Sequence, residues 1–320
     1  MTTRGRARAN GLARLRAAGD DSAALAADLL LAHACGVAKE ELYSHLDAAL
    51  GPEEERLYRE LVERRAAGEP VAYLRGWKEF FGLRFAVDAR VLVPRPETET
   101  LVEAALAFLR DRGGTRVVDV GTGSGAVAIA IAVSAPRSRV IATDVSPGAL
   151  EIARANMTAH AVEDRLELRA GDLLEPVEEE VDVITANLPY LPIALGLRPR
   201  RLDPARGSSL GPAVPGVPAD PEGPWGKDPD PRSHLSFTER SLLFEPREAV
   251  LAGGSDGLDV IRRCVAQVPS RLARGGAAFF ECDPPQAAAV AELLGARLGG
   301  PTRILRDLMG NERVVEGIRG

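Results

Sequence analysis

The stretch from Arg116 to Ala135 constrains the fold more than any other. Arg116-Val117-Val118-Asp119-Val120 is a short apolar strand. It runs through Gly121-Thr122-Gly123-Ser124-Gly125 into a small-residue helix that ends near Ala135. Glycines at such a turn let the backbone bend sharply and come close to a ligand at the helix N-terminus. The pattern then repeats. Val140–Asp144 reads as a second strand, and Pro147–Ala161 as a helix with proline in its first turn. Leu166–Arg169 and Val181–Ala186 read as the third and fourth strands. After a helix near Leu258–Leu272 comes a fifth, Ala277–Cys282. Thr302–Leu308 and Glu312–Ile318 then form a pair around Gly310-Asn311, a hairpin signal. Apolar strands alternating with helices predict an α/β fold with a doubly wound, mostly parallel, seven-stranded sheet.

The flanking segments differ in character. Residues 1–70 are rich in Ala, Leu, Glu and Arg and read as a small helical domain, with Asp21 and Ser22 placed to cap the helix that carries Leu29 and Leu30. Residues 71–93 hold five of the fourteen aromatic residues (Tyr73, Trp77, Phe80, Phe81, Phe85) and read as a β-hairpin linker. Residues 94–320 make the large domain. It is interrupted at about 192–236, where the 40 residues 192–231 contain ten of the 23 prolines and six glycines. Such a stretch forms neither a packed helix nor a central strand, and a loosely ordered surface insertion is expected.

Composition narrows the function. At 320 residues, two domains are the first expectation. No run of about 20 apolar residues spans a membrane, and Met1–Arg16 lacks the apolar stretch of a secretory signal, so a cytoplasmic protein is expected. A net charge of −6 argues against broad phosphate binding, and no stable nucleic-acid binding is expected. Cys35, Cys264 and Cys282 have neither metal-ligand nor disulfide spacing, and the four histidines are scattered, so no metal is expected.

Two sets of residues carry chemistry. The loop Gly121, Thr122, Gly123, Ser124, Gly125 suits a cofactor, and Asp144, ending the second strand, can accept the hydroxyl protons of a ribose. Gly121, Gly123 and Ala126 also satisfy the loose dinucleotide pattern, so this loop leaves nicotinamide and S-adenosylmethionine enzymes both open. Asp172 is placed to accept from an adenine amino group or to cap a helix. The second set is Asn187-Leu188-Pro189-Tyr190, beyond the fourth strand, where open α/β sheets bind ligands. It resembles the Asn/Asp-Pro-Pro-Tyr motif of methyltransferases that act on planar amino groups. The lone pair of an amide or arylamine nitrogen is delocalised, which makes it a poor nucleophile. The Asn187 side-chain oxygen and the Leu188 carbonyl can accept its two N–H bonds, orient it, and favour the positive charge that develops. Tyr190 offers a flat face. Leucine replaces the first proline of the common form but keeps the carbonyl. Asp283-Pro284-Pro285-Gln286 looks similar, but it follows the fifth strand and ends in glutamine. It reads as a strand-to-helix turn.

With these residues in place, the chain resembles the peptide chain release factor glutamine methyltransferases. The supporting blocks are Gly68–Gly76, Glu79-Phe80-Phe81-Gly82, Val93-Pro94-Arg95-Pro96-Glu97-Thr98-Glu99, the glycine loop, Asn187–Tyr190, Phe244-Glu245-Pro246 and Gly310–Val314. The resemblance implies a class I, Rossmann-like methyltransferase. Such an enzyme transfers a methyl group from S-adenosyl-L-methionine to the side-chain amide of the glutamine in the Gly-Gly-Gln loop of bacterial release factors, leaving S-adenosyl-L-homocysteine. It implies that the glycine loop holds the methionine part, Asp144 the ribose, and Asp172 with Leu173 the adenine side. Asn187, Leu188, Pro189 and Tyr190 would hold the glutamine, the Pro94–Glu99 segment would line the cleft, and the N-terminal helices would grip the release factor. The alternative is a methyltransferase for an exocyclic amino group of adenine in RNA or DNA, since Asn-Leu-Pro-Tyr occurs there too. An inactive cofactor-binding paralogue is the third reading.

Overall fold

The computed structural model describes residues 2–191, 236–250 and 254–320. The expected insertion at about 192–236 therefore lies almost wholly outside the described residues. These group by their internal contacts into two units, 2–74 with 236–244, and 75–191 with 245–250 and 254–320.

The first unit is helical: α1 (Arg4–Ala17), α2 (Ala23–Ala34), α3 (Lys39–Ser44) and α4 (Pro52–Ala66). Leu15, Leu30, Leu31, Leu42, Leu61 and Val62 are buried together in its core. Asp20, rather than Asp21 or Ser22, organises the entry to α2. It accepts the Ser22 N–H at 2.9 Å and the Ser22 hydroxyl at 2.7 Å. Its other oxygen accepts from Arg65 Nε at 2.7 Å, so the buried carboxylate is paired as well as capped.

The segment after α4 brings a correction, and the second unit begins at residue 75. The segment expected to begin a hairpin at residue 71 is instead one turn of helix, α5 (Val71–Arg75). Pro70 fits the start of a helix, and its carbonyl accepts from Tyr73 and Leu74 N–H at 3.0 and 3.1 Å. The hairpin is shorter, β1 (Trp77–Phe80) against β2 (Leu83–Ala86). Then follow α6 (Glu99–Leu109), β3 (Arg116–Val120), α7 (Ala126–Ser134), β4 (Arg139–Asp144), α8 (Pro147–Ala159), β5 (Leu166–Ala170) and β6 (Val181–Ala186). A short α9 (Phe237–Leu242) belongs to the helical unit, where the Ser241 hydroxyl donates to the Gly68 carbonyl at 2.8 Å. The chain ends with α10 (Arg247–Val250), α11 (Asp259–Gln267), β7 (Leu272–Glu281), α12 (Ala287–Leu298), β8 (Gly299–Arg306) and β9 (Glu312–Arg319). The helix expected to reach Leu272 stops at Gln267, because Pro269 interrupts it and β7 begins at Leu272.

The seven-stranded sheet has the order β5-β4-β3-β6-β7-β9-β8. Strands β3 to β7 pair in parallel and β9 and β8 antiparallel. Alternate residues feed two cores, as the period of two in a strand requires. Val118, Val120, Ile184 and Phe280 pack with the side chains of α11 and α12, while Val117, Val183 and Phe279 pack with those of α6 and α7. From β3 the chain winds outward to β5, then returns to β6 on the other flank of β3. That reversal opens a crevice beyond the carboxyl ends of β3 and β6. No helix among the described residues is long and apolar enough to cross a membrane.

Candidate active site

A cavity of about 470 Å³ lies at this crevice. Of the predicted site residues, Gly121, Thr122, Gly123, Ser124, Asp144, Asp172, Leu173, Asn187, Leu188 and Pro189 line it. Gly125 and Tyr190 do not. Gly125 is the left-handed N-cap of α7, with φ +80°, and so serves the turn rather than the lining. Tyr190 turns away from the cavity, and its phenol donates to Glu281 Oε1 at 3.3 Å.

The glycine loop is held by its neighbours. Gly121 has φ +71°, and a Cβ there would lie 2.9 Å from Leu188 Cδ2, so the loop and the strand-end motif pack with no room for a side chain between them. The Thr122 hydroxyl donates to Asp119 Oδ2 at 2.6 Å, and the Thr185 hydroxyl to Oδ1 at 2.9 Å. Burial pushes the Asp119 carboxyl up to about 6, against these two hydrogen bonds. Asp144 accepts the Gly123 N–H at 2.8 Å and the Ser146 N–H at 2.9 Å. Burial raises its pKa too, opposed by backbone donors. Asp172 is paired with Arg263, so its carboxylate is already engaged by a cation. Leu173 sits at φ +54°, and its carbonyl accepts from the Thr143 hydroxyl at 2.8 Å.

The charge balance of the cavity is informative. Three arginines line it, and each has an acidic partner: Arg90 with Asp88 and Glu151, Arg95 with Glu245, and Arg263 with Asp172. Asp119 and Asp144 have only neutral donors. Asp119 is buried and Asp144 half-buried, and among the described residues neither has a cationic partner, which suits a ligand that brings its own positive charge.

The acceptor side centres on Asn187. Its Nδ2 donates to Thr98 Oγ1 at 3.0 Å, which leaves Oδ1 as the free end of the amide among the described residues. Thr98 comes from the Pro94–Glu99 segment, and it lines the cavity with Pro94 and Arg95. That segment is anchored from a distance in sequence. Glu245, 5% exposed, pairs with Arg95 and accepts the Val93 N–H at 3.4 Å. The blocks around Val93 and Phe244-Glu245-Pro246 thus meet. Leu188 is buried, packing its side chain into the core beneath the crevice. Asp283 opens a 3-10 turn in which Gln286 Oε1 accepts its N–H at 3.0 Å, as a strand-to-helix turn implies. Gln286 does more than accept that N–H: its Nε2 donates to the carbonyls of Tyr190 and Asp256, both at 2.9 Å.

Sequence reasoning passed over Glu281, Arg263 and the role of Thr98. Glu281 stands at the carboxyl end of β7, next to β6 in the sheet, which is the one positional signal that singles it out.

Comparison with known proteins agrees with this layout. Residues 6–76 match the family model described as "PrmC N-terminal domain", and residues 98–192 the "Methyltransferase small domain". The release factor glutamine methyltransferase of Rhodopirellula baltica is 37% identical over 308 residues, covering 94% of this chain and 90% of that one. The Moorella thermoacetica protein of the same name is 35% identical over 304 residues, covering 94% and 93%. Among solved structures, the hMettl16 catalytic domain in complex with the MAT2A 3'UTR hairpin 6 matches with a TM-score of 0.51 at 14% identity, over 80% of this chain and 82% of that one. At that identity the match speaks for the fold alone. With the sheet order, the cavity at the reversal point and relatives matching over nearly their whole length, the chain belongs to the release factor glutamine methyltransferase family.

Proposed function

We propose that this chain methylates the side-chain amide nitrogen of the glutamine in the Gly-Gly-Gln loop of peptide chain release factors, with S-adenosyl-L-methionine as donor. The observation that carries the reading is the fixed Asn187 amide. Its N–H end is taken by Thr98, and Oδ1 has no hydrogen-bond partner among the described residues, at a cavity that the glycine loop also lines. A planar carboxamide offers two N–H bonds. Asn187 Oδ1 accepts one and the Leu188 carbonyl the other, which fixes the amide plane so that the nitrogen lone pair, perpendicular to it, faces the donor.

The residues fit the donor. Gly121 to Ser124 hold its methionine part, Asp144 its ribose, and Asp172 with Leu173 its adenine side. Asp119 and Asp144 supply negative charge against a sulfonium. The cofactor supplies an activated methyl group when bound. The protein orients the nitrogen, excludes water and favours positive charge on that nitrogen in the transition state. No base is needed before attack, since the surplus proton leaves afterwards to water. The N-terminal helices grip the release factor away from the chemistry.

Labelled S-adenosylmethionine incubated with release factor, with its Gln→Ala loop variant and with total RNA tests the proposal. Label on wild-type release factor alone is expected. Label on RNA instead marks an amino-group nucleic-acid methyltransferase, and label nowhere an inactive binder.

A further inference from the structure

We infer that Asn156 is a positioning residue for the cofactor loop: its side-chain amide fixes the Ser124 carbonyl, so that the loop is preformed for S-adenosylmethionine. The inference deepens the methylation reading and rests on its assignment of the glycine loop to the donor.

Asn156 stands behind the cavity wall rather than in it. It is 1% exposed on α8, and both ends of its amide are engaged. Oδ1 accepts the Ala86 N–H at 2.7 Å. Nδ2 donates to the Ala86 carbonyl at 3.1 Å and to the Ser124 carbonyl at 2.8 Å. Toward β2 the amide acts like one more residue of strand, meeting both backbone groups of Ala86 at the outer edge of the hairpin. Its second N–H goes to the glycine loop. The two partners belong to different parts of the wall. Ser124 lines the cavity itself, and β2 is paired with β1, whose Phe80 lines it.

His160 shows what plain packing between α8 and the hairpin looks like. Its Nε2 donates to the Arg84 carbonyl at 2.9 Å, and its ring lies against Phe85 with centroids 5.1 Å apart. Four residues of helix and two of strand each span about 6–7 Å, so Asn156 and His160 hold Ala86 and Arg84 from one helix face. The bond to Ser124 is what separates them. The loop is close to α8 at a second point: a Cβ on Gly125 would lie 3.3 Å from Ala153 Cβ, one turn before Asn156. Gly125 is left-handed, with φ +80°, and its N–H donates to the Thr122 carbonyl at 2.9 Å. The Ser124 carbonyl lies in the peptide plane that leads into this glycine, so holding it fixes the plane of the turn. An amide supplies one acceptor and two donors at this reach, whereas an ionised aspartate keeps the acceptor and has no donor.

Calorimetric titration with S-adenosylmethionine, on wild type, Asn156→Ala, Asn156→Asp and His160→Ala, tests the role, with thermal unfolding followed in parallel. Both Asn156 variants are expected to bind the cofactor about tenfold more weakly, the size of one buried hydrogen bond. Their kcat on release factor at saturating cofactor should change by less than about threefold, because the loop holds the methionine part alike in ground and transition states. His160→Ala should lower the unfolding temperature and leave the affinity within about twofold of wild type. Amide hydrogen exchange at Gly125 should speed up in Asn156→Ala and stay at the wild-type rate in His160→Ala. If Asn156→Ala does not fold, Asn156→Asp carries the comparison. Wild-type affinity in a folded Asn156 variant, or an equal loss in His160→Ala, overturns the inference and makes Asn156 a packing residue. A chain that binds S-adenosylmethionine yet never labels release factor defeats the glutamine reading, while the affinities still decide the role of Asn156.

Discussion

The ends of β6 and β7 each carry an Asn or Asp followed two residues later by proline, and do different things. Asn187-Leu188-Pro189-Tyr190 follows β6, and Asp283-Pro284-Pro285-Gln286 follows β7 one place along the sheet. At β7 the glutamine is satisfied at both ends: Gln286 Oε1 accepts the Asp283 N–H at 3.0 Å, and its Nε2 donates to the carbonyls of Tyr190 and Asp256 at 2.9 Å. At β6 the asparagine is satisfied, among the described residues, at one end only, by a threonine 89 residues away in sequence. A closed hydrogen-bond pattern makes a turn, and a half-closed one leaves an oxygen for a substrate. The position in the sheet decides as well, since β6 flanks the strand at which the winding reverses and β7 is one strand removed.

Breaking the β6 side should have the largest effect. Asn187→Ala is expected to lower kcat by about 10²–10³-fold, as loss of a charge-stabilising acceptor does. The affinity for S-adenosylmethionine, read by calorimetry, should change by less than about threefold, or about 0.7 kcal/mol. The same truncation at the β7 end, Asp283→Ala, should leave turnover unaltered.

The next effect sharpens the contrast through charge. A cationic cofactor favours ionised Asp119 and Asp144, both of which burial raises above the usual carboxylate range, Asp119 to about 6. Protonating either weakens binding. Affinity should therefore hold steady above pH 7 and fall by about tenfold for each pH unit well below the free-state value. An affinity constant from pH 7.5 to 5 would remove these carboxylates from the account.

Smaller effects test the turn itself. Gln286→Ala removes the acceptor of the Asp283 N–H and should cost about 1 kcal/mol of stability by denaturant unfolding. Smallest of all, Leu188→Pro restores the common motif. The carbonyl stays in place, so transfer should change by less than about threefold, or about 0.7 kcal/mol. A larger loss would mean that the Leu188 side chain, packed under Gly121, matters more than its carbonyl.

Local signals explain which features were legible beforehand. The strands show as short apolar runs, the crossover begins at a glycine turn, and the terminal hairpin shows at Gly310-Asn311. Each is written within about ten residues. The hairpin at 71–93 was only half legible, because the aromatics that mark it also overlap the turn of helix after Pro70. The site divides the same way. The glycine loop, Asp144 and Asn187 stand at strand ends and can be named from spacing. The Thr98–Asn187 and Tyr190–Glu281 bonds join residues 89 and 91 positions apart, and no local pattern encodes them. Arg263 on Asp172 is likewise 91 residues distant, so that pairing of the predicted adenine-side carboxylate could not be foreseen. Tyr190 is expected against the substrate's flat face, and its phenol also donates to Glu281, a bond that no local pattern encodes.

The central claim is that the β6 end presents an oriented amide acceptor to a glutamine side chain. Transfer of label from S-adenosylmethionine to release factor, followed by mass-spectrometric mapping of the methyl group, tests it most directly. The account predicts one added methyl on the Gly-Gly-Gln glutamine with wild-type enzyme, and none with Asn187→Ala. A methyl group on any other residue, on RNA, or on that glutamine at wild-type rate with Asn187→Ala would contradict it.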